Sequence, residues 1–268
     1  MIRLRDAALS ARVAKLLDRY QADVDAATTY AERVERAKAA FARRNKDSDP
    51  AFKEIRRALA ALCSGNRRCC YCEDSFADEV EHIQPKDLYP DLVFSWLNYL
   101  YACGPCNGPK NNRFAVILPT GEQREVTRRR GDPVVPPIAG QPALINPRAE
   151  DPLRFLDLDI LDTFLFLPAE GLFPNDVLRA EYTIDVLALN RREVLVQARR
   201  TAYGSYRARL HEYRRKAKRG DPPIELDALA TGLRTMDQPT VWAEMKRRHR
   251  VVPELAELFR AVPGALDW

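Results

Sequence analysis

The sequence predicts an α+β fold that is mostly helical, with a small cysteine-stapled core flanked by helices on its N- and C-terminal sides. Three observations carry this. Two Cys-x-x-Cys pairs, Cys69–Cys72 and Cys103–Cys106, bracket one short segment. Apolar residues at helical spacing and alanine-rich runs fill the chain before it and the end of the chain after it. Between the bracketed segment and the C-terminal runs, prolines and glycines cluster and exclude long helices.

Residues 1–66 read as a helical region. Leu4, Ala7, Ala8, Ala11, Ala14 and Leu17 recur near helical spacing, and a second run extends from about Ala22 to Arg44. A third helix starts at Asp49-Pro50, since proline is accommodated in a first turn, and carries Phe52, Ile55, Leu59 and Leu62 on one face. Ser64-Gly65-Asn66 stops it. In segment 67–118, Asp78 to Ile83 alternates with Val80 apolar between acids, which predicts a strand ending near His82. Tyr89-Pro90 marks a turn, a second strand is expected near Tyr99–Ala102, and a short helix from Asn107. Phe94, Trp96, Leu97 and Leu100 read as the small core beneath, with Trp96 packed rather than stacked on a base. Segment 119–180 carries loops and short strands. Its apolar run Ile160–Leu167 predicts a strand that Ala169–Leu172 turns back as a hairpin. Segment 181–268 holds the clearest long helix, striped by Leu195, Ala198, Ala202, Tyr206, Leu210 and Tyr213. Shorter helices follow, divided by Asp221-Pro222-Pro223, Gln238-Pro239 and Pro253.

The 46% hydrophobic content of the 268 residues supports a packed core and excludes a disordered chain. The start lacks the apolar run of a signal peptide, and no stretch is long and apolar enough to cross a bilayer. Six cysteines, four of them in knuckles, indicate a reducing, cytoplasmic compartment and metal binding rather than a disulfide framework. Cys63 and Cys70 read as buried or spare thiols. There is no phosphate-loop motif, which sets aside a nucleoside triphosphatase. The net charge of +5 is unevenly spread. Residues 69–118 hold three Lys/Arg against seven Asp/Glu, so cations must occupy that segment if it is to meet a nucleic-acid backbone. From Arg191 to Arg219 there are 11 Lys/Arg and two Asp/Glu, a candidate phosphate track.

Two knuckles supply four thiolates at the reach of a tetrahedral Zn²⁺. Cys69, Cys72, Cys103 and Cys106 are the expected ligands; Cys70 could replace Cys69, but the spacing favours Cys69. The insert between the knuckles is longer than a zinc ribbon uses, and it contains Glu81, His82 and Asn98. A carboxylate is a hard ligand suited to Mg²⁺ or Mn²⁺, and a neutral imidazole is a general base near pH 7. Asn107 offers an amide oxygen to the same ion, and Lys110 lies on the same helical face, a positive charge for a bound phosphate.

The order Cys-x-x-Cys, Glu-His, Trp-x-Asn-x-Leu, Cys-x-x-Cys-Asn-x-x-Lys resembles the HNH nuclease family, whose active site is a ββα-metal hairpin and helix. The resemblance covers about a fifth of the chain. It implies that His82 is the general base, Glu81 and Asn107 are ligands of a catalytic divalent ion, Asn98 pins the loop that aims the histidine, and Lys110 faces phosphate. It implies phosphodiester hydrolysis in DNA, with RNA as the alternative substrate. The wording Tyr71-Cys72-Glu73 before the site and Tyr89-Pro90-x-Leu92-x-Phe94-x-Trp96-x-Asn98 after it is similar to the HNH effector subunits of Septu and retron-type anti-phage systems. So is Thr183-Ile184-x-x-Leu187-x-Leu189-Asn190-Arg191. That resemblance implies an ATPase partner subunit. The rival expectation is a zinc-stapled module that binds nucleic acid or a partner without catalysis.

Overall fold

The computed structural model describes residues 1–5 and 7–268. Three helices open the chain, each started by a side chain that satisfies free N–H groups of its first turn. Ser10 caps α1 (Ala11–Asp25), a Thr29–Glu32 capping box starts α2 (Tyr30–Arg44), and Asp49 caps α3 (Pro50–Leu62). The expected run from Leu4 becomes helical only at Ala11, where Ser10 supplies the cap. The run expected from Ala22 to Arg44 is two helices, because the capping box at Thr29 begins a new one. Phe52, Ile55, Leu59 and Leu62 are buried on one face of α3, as their spacing requires.

β1 (Glu79–His82) and β2 (Tyr99–Ala102) pair antiparallel, with Glu79 opposite Ala102 and His82 opposite Tyr99. The helix expected from Asn107 starts earlier: α4 spans Gly104–Lys110, because Pro105 presets its first turn. Pro109 offers no N–H, and the helix ends one residue later at Lys110, with Asn111 at φ 39°. β3 (Ala115–Ile117) lies between β4 (Gln123–Glu125) and β5 (Gln141–Pro142).

The hairpin expected from Ile160 is displaced. Its strands are β6 (Leu156–Leu158) and β7 (Phe166–Pro168). The Asp159 carboxylate accepts hydrogen bonds from the N–H groups of Leu161, Asp162 and Thr163, so the first half of the apolar run is the turn and not a strand. Residues 169–172 then lead into α5 (Pro174–Val186). α6 (Glu193–Arg219) is the long basic helix, with Leu195, Ala202, Tyr206 and Leu210 buried. α7 (Pro223–Arg234), α8 (Pro239–Arg248) and α9 (Pro253–Ala261) each begin on a proline, as the punctuation predicted. The terminal Trp268 folds back on the ring of Tyr213, 5.0 Å away.

One apolar cluster runs through all of this, from Leu17 and Phe52 through Tyr99, Phe114 and Leu144 to Tyr206 and Leu258. It places α3 against β2 and the aromatic rings of Phe41 and Phe52 against Tyr99. Among the described residues, no helix is long and apolar enough to cross a membrane.

Candidate active site and metal centre

The thiols of Cys69, Cys72, Cys103 and Cys106 are all buried and lie within 4.8 Å of one another. The Cys72 and Cys103 sulfurs are 3.8 Å apart, and a tetrahedron with zinc–sulfur bonds of about 2.3 Å spaces its sulfurs by about 3.8 Å. The four cysteines are therefore positioned to bind a metal ion, and the donor set fits Zn²⁺. The Cys103 N–H points at the Cys69 sulfur at 3.3 Å, and the Arg192 guanidinium donates to the Cys106 sulfur at 3.1 Å. Arg192 precedes α6, so the long helix starts at this centre and brings positive charge to a cluster of thiolates. The neighbouring thiols hold Cys72 well below the ordinary range, while burial pushes Cys69 up. Cys70 is not part of the set; its sulfur faces that of Cys63 at 3.9 Å.

The first knuckle is also tied from outside. Glu73 follows Cys72 at φ 60° and is buried. Its carboxylate accepts from the backbone N–H and hydroxyl of Thr240 at 2.9 and 2.8 Å and meets the Met1 ammonium at 3.1 Å. Sequence reading missed this residue. Its one signal was a carboxylate next to a cysteine that must be buried.

Beside the metal centre, β1 carries Glu81 and His82, α4 carries Asn107 and Lys110, and the loop between β1 and β2 is closed by Asn98. The Asn98 side chain accepts from Gln84 N–H at 2.8 Å and donates to the carbonyls of Gln84 and Leu92 at 3.0 and 3.1 Å. Its backbone carbonyl accepts from Ile83 N–H at 2.9 Å. Asn98 thus sits behind the site and fixes both ends of the loop.

Glu81, His82 and Asn107 line one cleft of about 310 Å³, together with Phe41, Glu79, Lys86 and Asn111. His82 Nε2 is 2.9 Å from the carbonyl oxygen of Val93. A carbonyl only accepts, so Nε2 carries the proton and Nδ1 is left with its lone pair. The ring packs edge-on against Phe41 at 4.4 Å and Tyr99 at 5.1 Å. Burial, with the nearby Lys86 charge, pulls His82 down to about 3, so the imidazole is neutral at pH 7.

Glu81 is buried, and burial pushes its carboxyl above the usual range while Lys110 opposes this. Lys110 is fully buried; its ammonium pairs with Glu81 Oε1 and donates to the His82 carbonyl at 2.9 Å. The expected phosphate-facing lysine is therefore corrected: Lys110 lies beneath the cleft with its charge engaged, because α4 ends by turning that side chain under β1. Asn107 is half-buried, and its Nδ2 donates to Glu79 Oε2 at 2.5 Å. That bond leaves the amide oxygen of Asn107 facing away from Glu79. Glu79 was missed in the sequence, although its position two residues before Glu81 puts both carboxylates on one face of the strand.

No family model matches the chain. It is 44% identical over 71 residues to the Septu protein PtuB of Bacillus thuringiensis, a match that covers 23% of this chain and 28% of that protein. The chain thus spans little more than a quarter of the length of that curated relative.

Proposed function

We propose that this chain is a metal-dependent HNH endonuclease that hydrolyses phosphodiester bonds in DNA and serves as the nuclease effector of an anti-phage defence complex. The observation that carries the reading is the convergence of Glu81, His82 and Asn107 on a single cleft, with His82 fixed in the tautomer that leaves Nδ1 free. The partial similarity to a Septu protein supports the defence context.

The cleft suits a hard divalent ion, because the oxygen donors that line it include the carboxylate of Glu81 and the amide oxygen of Asn107. Mg²⁺ or Mn²⁺ bound there supplies charge for the scissile phosphate and its leaving oxygen. The chain's own residues do the rest. His82 Nδ1 takes a proton from the attacking water, and the Val93 carbonyl stabilises the imidazolium through Nε2–H. Lys110 pairs with Glu81 and opposes the upward push that burial gives its carboxyl. Glu79 holds the Asn107 amide in one orientation, as an outer-shell partner does for a ligand. The four thiolates would hold Zn²⁺ and tie the loop before β1 to the end of β2 and to α4.

The test is cleavage of plasmid DNA and of RNA with Mg²⁺ or Mn²⁺, compared with EDTA and with His82→Ala. Cleavage that needs the ion and His82 supports the reading, and the preferred polymer separates DNA from RNA. Binding without cleavage under every ion would favour the non-catalytic module. The regulator we assign is an ATPase subunit. Co-purification from the native operon checks this, and a monomer that cuts freely without help contradicts it.

A further inference from the structure

We propose that Lys86 is a catalytic residue of this site, the cation that contacts a non-bridging oxygen of the scissile phosphate. The inference rests on the nuclease reading of the cleft and names a group that reading lacks. An ion held by a carboxylate and an amide leaves part of the phosphate charge uncovered, and the lysine expected to cover it, Lys110, is buried under β1 with its ammonium committed to Glu81 and the His82 carbonyl.

The cleft contains two other cations. Arg56 is engaged: it donates to Asn45 Oδ1 at 2.6 Å and pairs with Asp47 at 3.3 Å. Lys86 has no hydrogen bond or ion pair with any described residue. Its ammonium lies over the face of Phe41, 5.4 Å from the ring centroid, and the same ring packs against His82 at 4.4 Å. Phe41 therefore sets the free cation beside the proposed base.

The position is fixed by backbone, too. Lys86 follows Pro85, whose carbonyl accepts from the N–H groups of Leu88 and Tyr89, both at 2.9 Å, closing a tight turn directly after β1. Gln84, one residue earlier, is held by Asn98 on both its N–H and its carbonyl. The stem of Lys86 thus leaves a rigid loop, and a half-buried ammonium that meets an aromatic face but no anion is the compact point charge that suits a phosphate oxygen.

The experiment compares the wild-type chain with Lys86→Met and Lys86→Arg on a defined duplex oligonucleotide in Mn²⁺. Cleavage kinetics, Mn²⁺ affinity by calorimetry and thermal melting are all measured. Lys86→Met is expected to lower kcat/KM about 10²–10³-fold, with Mn²⁺ affinity and melting unchanged, and Lys86→Arg is expected to recover part of the loss. If the wild type cleaves and Lys86→Met cleaves within threefold of it, the role of Lys86 is wrong and the nuclease reading stands. The role is also wrong if Lys86→Met weakens Mn²⁺ binding as much as it weakens cleavage, since Lys86 would then act through the metal site. A wild type with no ion-dependent cleavage removes both. Should Lys86→Met fail to fold, Lys86→Gln replaces it under the same criteria.

Discussion

His82 Nε2 and the Val93 carbonyl oxygen are 2.9 Å apart, and the Tyr99 hydroxyl donates to that same oxygen at 2.5 Å. The orientation of the proposed base therefore depends on where the loop between β1 and β2 puts one peptide group. Asn98 fixes that loop through three side-chain hydrogen bonds. Asn98→Ala is expected to cost about 2–3 kcal/mol, since it leaves buried loop groups unpaired. It should also lower cleavage at least tenfold, because His82 loses its aim. Urea denaturation and cleavage kinetics on the same preparation check this. A variant that loses stability but keeps full activity would show that Asn98 serves the fold alone.

Lys110 and Glu81 form a buried pair with little access to solvent on either side. Removing one partner of such a pair strands the other charge, which costs about 3–5 kcal/mol. Lys110→Met is expected to fall in that range. The double variant Lys110→Met/Glu81→Gln should recover much of it, because the stranded carboxylate is gone. A double-mutant cycle by chemical denaturation measures the coupling, and a coupling near zero would contradict the assignment.

The four thiolates should hold one Zn²⁺ per chain. Because structural zinc supplies folding energy directly, Cys72→Ser or Cys106→Ser should leave β1, β2 and α4 unfolded, while Cys70→Ser should not. Metal analysis and circular dichroism decide between them. A Cys70→Ser chain that loses its zinc would contradict the ligand set.

His82 gives stability a pH dependence. In the unfolded chain its pKa is that of free histidine, about 6.5, whereas burial pulls the folded value down to about 3. Between these values the unfolded state binds a proton that the folded state does not. Stability is therefore full above pH 6.5 and is lost as pH falls toward 3. From pH 6.5 to 5 the loss is about 2 kcal/mol for this one group. His82→Gln should flatten the stability profile over that range relative to the wild type, and parallel profiles would show that the imidazole is not held neutral by the fold.

Much of the site could be read in the sequence because it is local. The Cys-x-x-Cys spacings, the alternation around Val80 and the Glu-His step each depend on residues a few positions apart, and β1, β2 and the thiol set fell where those patterns put them. Lys86, Glu79 and Phe41 were missed because their importance comes from tertiary neighbours: Phe41 reaches His82 from α2, and Glu79 matters through Asn107. Lys110 was misplaced for the same reason. Its helical phase set its direction correctly relative to Asn107, but only the packing of α4 under β1 shows that its charge is already engaged. The displaced hairpin is a case of turn chemistry overriding apolar content, since Asp159 collects three backbone N–H groups and bends a run that hydrophobicity alone would extend.

The central measurement is single-turnover cleavage of duplex DNA in Mn²⁺ by the zinc-loaded wild type and by His82→Ala, with zinc content and melting recorded for both. The expected result is cleavage by the wild type, a loss of about 10²–10⁴-fold in the variant, and equal zinc and melting. An equal rate from the two proteins, or no ion-dependent cleavage by either, would contradict a hydrolytic role for the cleft formed by Glu81, His82 and Asn107.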